Sequence, residues 1–307
     1  MMRRWIFTAL LCWVGTAQAF ELQIEKMTDN VYALVGEIGP RSAENHALNN
    51  TLGFVVTPSG VVLIGSGATP AGARLIEHSI ARVTSQPVRW VINIGAQDHH
   101  WLGNSYFAGK GADIIALAKT VAEQHQHVDD HLSRLQQVVK TEAPAVKPVY
   151  ATKPVVQDEA RLTLGGEDFD LIWPGGGHFA GDAILWMPKR RVVFAGDYVF
   201  NDRMLGVQPY SPVLAWQQAF HKIAALKPLF VIPGHGHPGD LGKAQRDTGD
   251  YLDWLIAEVG KAQSDWKDIG DTVNDLADAP PFRHLKFYDS WQRKNINRTY
   301  LYLESIQ

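Results

Sequence analysis

The sequence predicts an α/β protein in which two mixed β-sheets pack face to face, with helices outside them. Two runs of segments rich in β-branched residues occupy the two halves of the chain, and each run is interleaved with helical patterns. No segment between the halves is rich enough in Pro, Ser and Gly to mark a domain boundary, although residues 143–154 come closest. We therefore expect residues 20–307 to form one domain with a helical C-terminal tail.

The first half is predicted to begin with strands. A Pro-Ser-Gly turn signal at residues 58–60 separates two of them, and a helical pattern over residues 71–83 connects them to the next strand. A long polar helix is predicted over residues 119–139. The predicted strands of this half are residues 31–35, 52–57, 61–64, 88–93 and 113–116.

The second half repeats the alternation of apolar strands with helices. Helical patterns cover residues 214–226, 243–259 and 291–304. The predicted strands are residues 161–164, 168–173, 183–187, 192–195 and 229–232. Because several of these strands lead into short Gly-rich polar segments, we expect the strand ends to present functional loops.

The N-terminal residues 1–19 have the pattern of a secretory signal peptide. Arg3 and Arg4 are followed by an apolar run over residues 5–14, and Ala-Gln-Ala at 17–19 is a small-x-small cleavage site. The run is shorter than the roughly 20 apolar residues that span a bilayer, and no later stretch is long enough. We expect an exported chain that starts near Phe20, is periplasmic or secreted, and has no membrane span.

The composition narrows the classes of function. The chain has twelve His and one Cys, which excludes a thiolate metal site and a disulfide framework but not an imidazole and carboxylate site. The net charge of −3 and the lack of a basic stripe argue against a nucleic-acid partner. A small-molecule substrate is the expected partner, and a protein partner is left open.

Four polar clusters each follow an apolar strand. They are centred on Asp98, His99 and His100; on His178 after three glycines; on Asp197; and on His235. Loops that leave strands at one edge of a sheet can bring such side chains together on a rigid frame. Imidazole and carboxylate are the usual non-sulfur ligands of zinc, so the clusters predict a shared metal site.

These clusters resemble the metallo-β-lactamase superfamily over residues 31–236. The segments Gly-His-Phe-Ala-Gly-Asp at 177–182, Ala-Gly-Asp at 195–197 and Pro-Gly-His-Gly at 233–236 are similar to the family's later metal loops. Residues 93–104 resemble its first metal loop, and residues 295–300 resemble secreted branches associated with quinoprotein or sulfur-oxidation systems. The resemblance implies an αβ/βα four-layer sandwich and a zinc-dependent hydrolase.

The first metal loop departs from the family pattern Asn-x-His-x-His-x-Asp-His-x-x-Gly-Asn. Aligned without gaps, the first two histidines fall on Gly95 and Gln97, and the Asp-His pair falls on His99 and His100. One inserted residue would instead place that pair on Asp98 and His99. Either alignment loses both histidines, so we expect one zinc ion per chain and a doubtful second site. Restoring both histidines should raise the metal count.

The resemblance implies roles for the remaining polar residues. His100, Asp197 and His235 are expected to hold the ion, with His99 or Asp98 as a fourth ligand. His178, also a ligand in the family, is expected to contact the substrate or its anionic intermediate, and Asp98 to orient water or move a proton.

The predicted reaction is attack of metal-bound water on an ester, amide, lactam or thioester carbonyl. The alternative is a catalytically weak or inactive binding or accessory protein on the same fold, which the two missing histidines favour. The three retained loops favour the enzyme.

Other histidines are interpreted differently. His125, His127 and His131 imitate a metal loop but lie in a polar helical pattern, so a solvated helix face is expected. His46 lies between two strands in a polar segment, residues 41–50, that overhangs the site in the resembled fold. It is a candidate for a missing ligand or a substrate contact.

Overall fold

The computed structural model describes residues 20–306. The predicted signal peptide, residues 1–19, lies outside the described residues. Two sheets make up the architecture: one of six strands in the order β1-β2-β3-β4-β5-β6 and one of five strands in the order β11-β10-β9-β8-β7. The prediction of two mixed sheets is confirmed.

The six-stranded sheet contains the strands of the first half of the chain. It is antiparallel from β1 to β4 and parallel from β4 to β6. The predicted turn at residues 58–60 joins β3 to β4, where Thr57 pairs with Gly60. The strands are β1 Gln23–Lys26, β2 Val31–Val35, β3 Thr51–Thr57, β4 Gly60–Ile64, β5 Val88–Asn93 and β6 Asp113–Ala116.

The five-stranded sheet contains the strands of the second half. It is antiparallel except for the parallel pair β10–β11, which a helical crossover connects. The strands are β7 Glu159–Leu164, β8 Glu167–Ile172, β9 Ile184–Met187, β10 Val192–Phe200 and β11 Phe230–His235.

The helices cover the outer faces of the two sheets. The first is α1, Pro70–Ala81, which begins where the Thr69 side chain accepts a hydrogen bond from the Gly72 amide. The others are α2 Asp98–Trp101, α3 Asn104–Ala108, α4 Ala118–Val138, α5 Val213–Ala225, α6 Leu241–Ala244, α7 Asp250–Ser264, α8 Ile269–Asp275 and α9 Tyr288–Ser305. No helix within residues 20–306 combines the length and apolarity needed to cross a membrane.

Four layers result from the way the apolar faces pack. Between the sheets, Val62 and Ile92 of the first contact Leu185 and Phe194 of the second in one buried cluster. The outer face of the first sheet packs on α1 through Ile76. The outer face of the second packs on α5, α7 and α9 through residues such as Trp216, Leu255 and Ile296. Burial of apolar area in these interfaces is the main force that holds the layers together.

Three local predictions were wrong in informative ways. The helix predicted over residues 243–259 is interrupted by a π-helical turn, Gln245–Gly249. Within that turn, the Thr248 hydroxyl bonds both the amide and the carbonyl of Phe200, which ties the turn to the end of β10. Strand β10 runs to Phe200 rather than ending at 195. Short elements without a long apolar pattern, such as β1, α2, α3 and α8, were not predicted.

Candidate metal centre

Asp197 lies inside β10, at a break in its pairing with β11. The register shifts on both sides of Gly196, whose φ of +53° is the left-handed conformation that glycine adopts at low cost. The prediction of a loop after the strand was therefore wrong for Asp197. The buried Asp197 carboxylate lies close to His235 at the end of β11 and to His99 and His100, which follow β5 of the other sheet.

Three imidazole rings surround the Asp197 carboxylate. The Nε2 atom of His100 lies 3.2 Å from Oδ1, that of His99 lies 3.3 Å from Oδ2, and that of His235 lies 3.6 Å from Oδ1. All four side chains are buried. The fold thus brings together four of the predicted residues, which come from three separate segments of the chain.

His99 and His100 lie on the four-residue helix α2 rather than in an open loop. The backbone holds them firmly: the His100 carbonyl accepts hydrogen bonds from the Ser66 amide at 3.0 Å and the Asn93 side chain at 3.1 Å. The Asn50 side chain donates to the His99 carbonyl at 3.3 Å. Residues of β5 and of the segments beside β3 and β4 therefore fix the backbone of both histidines.

His235 has the environment of a metal ligand. Its Nδ1 lies 2.8 Å from the backbone carbonyl oxygen of Asn49. A carbonyl only accepts, so Nδ1 carries the proton and Nε2 presents its lone pair toward Asp197. The ring also stacks on Phe200, with centroids 4.8 Å apart.

Nδ1 of His99 contacts an arginine, Arg41, that was not predicted as a site residue. The Arg41 guanidinium contacts Nδ1 of His99 at 2.8 Å and forms a two-pronged ion pair with Asp98. The sequence signal for Arg41 was the polar segment 41–50, in which His46 was the predicted site residue. His46 in fact pairs with Glu142 at 2.5 Å, away from the ring cluster, so its role as a missing ligand is corrected.

Asp98 pairs with Arg41 and approaches the ring cluster only at His99, whose Nδ1 lies 3.7 Å from Asp98 Oδ1, beyond hydrogen-bond distance. One of its oxygens accepts from Arg41 Nη1 at 2.7 Å, and the other accepts from Arg41 Nη2 and from the His99 amide at 2.8 Å. Burial raises the pKa of Asp98, but the charge and hydrogen bonds of Arg41 outweigh this and hold it well below the usual value. This geometry does not support the predicted roles of Asp98 as fourth ligand or proton carrier.

His178 lies in an apolar ring environment at the same edge. Its neighbours are Phe179, Trp216 and Phe200, with ring centroids 5.3, 5.4 and 5.9 Å away. Burial lowers its pKa to about 4, so the ring is neutral at pH 7. Within the described residues, its Nδ1 has no hydrogen-bond partner. It is not part of the set of mutually close ligand atoms in the described chain, so its assignment as a metal ligand stays a prediction.

The charge state of the cluster suits a cation. Burial raises the pKa of Asp197, but the nearby His100 and His99 lower it more, so the carboxylate is ionised. Burial lowers the pKa of His99 to about 4 against the pull of Asp197. For His235, burial and the nearby Arg203 move the pKa well below its ordinary value. His99, His235 and Asp197 therefore form a set of neutral imidazoles and a carboxylate at neutral pH. His100 differs from them: burial lowers its pKa, but the Asp197 carboxylate raises it more.

The donor atoms fit a zinc-type ion. Buried atoms without a hydrogen-bond partner among residues 20–306 include Nε2 of His99, Nε2 of His100 and both carboxylate oxygens of Asp197. Such orphaned polar atoms are rare in folded proteins and call for a partner. Ligand atoms of His99, Asp197 and His235 lie within 4.8 Å of one another, the one such group found in the described chain. His100 contacts Asp197 but lies outside this group.

The place of the lost first-site histidine is filled. A Cβ atom at Gly95 would lie 2.3 Å from Cδ2 of His100, so the His100 ring occupies the space of a side chain there. This overturns the expectation that restoring histidines at Gly95 and Gln97 would raise the metal count. Gln97 keeps its side chain near the site, since it lines the adjoining cavity.

A cavity of about 80 Å³ opens beside the ring cluster. It is bordered by His99, His178 and His235, and by two arginines, Arg41 and Arg203. The Arg203 guanidinium lies over the Phe287 ring at 5.0 Å, and its Nε has no hydrogen-bond partner in the described chain. Burial lowers its pKa to about 10, so it remains a cation at pH 7. The remaining lining residues are Asn49, Gln97, Phe200, Gly206, Gln208 and Trp291.

His127 and His131 of α4 are buried rather than solvated, contrary to the prediction, whereas His125 is exposed. His127 and His131 pack on Phe179, with centroids 5.1 and 5.5 Å away, and His125 stacks on Tyr150 at 3.8 Å. They form no set of mutually close ligand atoms within the described residues. The helix therefore supports the wall behind His178 and is not a metal loop.

Comparison with known proteins agrees with this architecture. Residues 48–235 match the family described as the metallo-beta-lactamase superfamily. Metallo-beta-lactamase IND-1 of Chryseobacterium indologenes is 24% identical over 76% of this chain and 90% of that protein. Metallo-beta-lactamase type 2 of Elizabethkingia meningoseptica is 26% identical over 79% of this chain and 88% of that protein.

Two solved structures have a similar fold. A metallo-beta-lactamase from Pontibacter korlensis superposes with a TM-score of 0.60 at 18% identity, covering 76% of this chain and 99% of that one. A double mutant of the sec-alkyl sulfatase PisA1 superposes with a TM-score of 0.70 at 14% identity, covering 91% of this chain and 50% of that one. The 91% of this chain that superposes on the sulfatase is more than residues 48–235, which the family match covers.

Proposed function

The chain belongs to the metallo-beta-lactamase superfamily, and from that premise we propose that it is an exported, metal-dependent hydrolase with one metal site. One observation carries the proposal: three buried imidazole Nε2 atoms lie within 3.6 Å of the oxygens of the buried Asp197 carboxylate. His99, Asp197 and His235 hold the ion in this proposal. His100 supports Asp197 from the side of the missing first site.

Zinc is the ion that this set of ligands suits best. Bound there, it supplies Lewis acidity and lowers the pKa of a coordinated water toward neutrality. The reaction class that follows is hydrolysis of an ester, amide, lactam or thioester. One ion rather than two is proposed because Gly95 and Gln97 provide no imidazole and the His100 ring fills the space beside Gly95.

His178 is proposed to donate a hydrogen bond to the substrate. Its Nδ1 is enclosed by apolar rings and has no partner within residues 20–306, and an unpaired buried N–H costs more than an unpaired lone pair. The proton of the neutral ring therefore belongs on Nε2. A donor at the wall of the cavity can stabilise the negative charge that develops on a carbonyl oxygen during hydrolysis.

Arg203 is proposed to anchor an anionic group of the substrate. Its guanidinium borders the cavity and has no carboxylate partner within the described residues, so a bound anion would supply the missing acceptor. Asp98 is proposed to hold Arg41 in place rather than to carry a proton. The cavity of about 80 Å³ is well below the roughly 300 Å³ of a drug-sized site, so only the reacting part of a larger substrate enters it.

The alternative is a binding or accessory protein of low activity. The small cavity and the loss of the first-metal histidines favour it, since binding a small anion beside Arg203 requires neither a large cavity nor a first metal site. From the sequence pattern of residues 1–19 we propose that either protein is periplasmic or secreted. Residues 20–307 are proposed to fold as one domain.

A paired measurement separates the two functions. Protein purified from an exported fraction without added metal is assayed for zinc by mass spectrometry. It is then tested on anionic esters, thioesters and lactams before and after treatment with a chelator. We expect about one zinc per chain and hydrolysis that chelation abolishes. Zinc-free protein that binds anions without turnover would support the accessory protein instead.

A further inference from the structure

The two histidines among the three proposed ligands have opposite kinds of hydrogen-bond partner at Nδ1. Nδ1 of His235 meets the Asn49 carbonyl at 2.8 Å, which is an acceptor. Nδ1 of His99 meets an Arg41 Nη at 2.8 Å, which is a donor. Since a guanidinium has no lone pair to offer, Nδ1 of His99 must provide the lone pair of that contact. A neutral His99 then carries its proton on Nε2.

That proton lies where a metal would have to bind. Nε2 of His99 is 3.3 Å from Oδ2 of Asp197, whereas Nε2 of His235 presents a free lone pair to the same carboxylate. Metal-bound histidines usually donate their other ring N–H to a carbonyl or carboxylate, which fixes the tautomer that binds metal. His235 follows this rule and His99 is arranged against it.

Arg41 is well placed to enforce this arrangement. Its side chain is partly buried, with 17% of its surface exposed, and is held by the two-pronged ion pair with Asp98, while its Nε contacts the Asn49 side chain at 3.4 Å. It cannot rotate away from His99 without breaking this largely buried ion pair, which is costly. The position of the His99 proton is therefore fixed by the segment that precedes β3.

We propose that Arg41 is an affinity-setting residue that holds His99 in the Nε2–H tautomer and so weakens zinc binding at the His99, Asp197 and His235 site. The inference rests on the metal site proposed above. It predicts that replacing the donor by an acceptor at position 41 converts His99 into a ligand of the His235 type. Loss of such an outer contact typically changes metal affinity by about 10- to 100-fold, and here the change is a gain.

The first experiment reads the tautomers directly in metal-free protein. Long-range ¹H–¹⁵N correlation spectra distinguish Nδ1–H from Nε2–H rings, and loss of peaks in His99→Asn and His235→Asn identifies the two residues. We expect Nε2–H for His99 and Nδ1–H for His235 at pH 7.5. An Nδ1–H pattern for His99 overturns the proposal whether or not the protein binds zinc.

The second experiment measures zinc affinity by competition with a chromophoric chelator. The variant Arg41→Gln with Asp98→Asn keeps a neutral hydrogen-bonded pair and offers Nδ1 an amide oxygen. We expect His99 to change to Nδ1–H and zinc to bind about 10- to 100-fold more tightly. Arg203→Gln is the control for removing an arginine from the cavity wall. It changes no contact of His99, but it removes one net positive charge, where the double variant removes none, and it removes the 3.5 Å approach of Arg203 to Nδ1 of His235.

The outcomes are separable. Equal tightening in both variants shows that loss of a cavity-wall arginine acts irrespective of the His99 tautomer and overturns the proposal, as does unchanged affinity after the tautomer has changed. If the tautomers are as expected but no folded variant binds zinc, the proposed metal-dependent function fails while the tautomer assignment stands. Circular dichroism confirms folding of each variant before its affinity is interpreted.

Discussion

The two sides of the metal centre differ in how they are built. On one side, the strand ends of β10 and β11 carry Asp197 and His235, with backbone pairing on both strands and a bulge at Gly196. On the other side, residues 93–104 after β5 have lost two family histidines, and α2, Arg41 and the His100 ring fill the region. The difference shows that strand backbone positions Asp197 and His235, whereas side-chain contacts occupy the region of the two replaced histidines.

The largest effect is expected on the strand side. Asp197→Ala removes the carboxylate that all three Nε2 atoms face. The affinity for zinc should therefore fall by more than about 100-fold, which exceeds the effect of losing an outer contact. Zinc content after dialysis measures this. The control is His127→Ala, whose ring packs on Phe179 and Tyr210 and should leave zinc unchanged. Equal loss in both variants would show that destabilisation, not ligation, is responsible.

A second test uses the pH dependence of stability. The pKa of His178 falls from 6.5 to about 4 on folding, so the unfolded chain binds a proton that the folded chain refuses. Stability is full above pH 6.5 and is lost as the pH falls toward 4, by roughly 3 kcal/mol at most. In His178→Gln this part of the pH dependence should disappear from urea-unfolding curves at pH 7.5, 5.5 and 4.5. A slope identical to that of the parent protein would contradict the apolar environment assigned to His178.

The region after β5 is tested by restoring the two histidines of the family pattern. Gly95→His with Gln97→His should not raise the zinc count, because a Cβ at position 95 meets the His100 ring at 2.3 Å. Overpacking of this kind costs about 1–3 kcal/mol, measurable as a lower urea midpoint. Adding His100→Gly should relieve the clash and recover the midpoint. A folded double variant that binds two zinc ions would show that the first site had not been filled.

The smallest effect is expected at the cavity wall. Arg203→Gln removes the proposed anchor of an anionic group, so KM for anionic substrates should rise by about tenfold, the equivalent of 1.4 kcal/mol, with kcat little changed. Neutral analogues of the same substrates are the control and should show no difference between the variant and the parent protein. A fall in kcat for both substrate types would instead assign Arg203 to the support of His235, which it approaches at 3.5 Å.

The sequence by itself determined the fold class, most of its strands and the residues that gather at the sheet edge. Alternating β-branched segments, turn signals and Gly-rich segments after strands are local patterns, and each acts over a few residues. This is why residues 88–93 and 113–116 were predicted with the bounds that β5 and β6 have in the structure. It is also why Asp197 and His235 were named as partners without any knowledge of their distance.

Only the tertiary structure decided what each polar residue does. Arg41 and Asp98 are 57 positions apart in the chain, and no local pattern indicates that one holds the other or that Arg41 also contacts His99. The burial of His127 and His131 likewise depends on Phe179, which approaches α4 from a distant segment. Contacts between distant segments set burial, charge pairing and ring tautomers, and those quantities distinguish a ligand from a neighbour of a ligand.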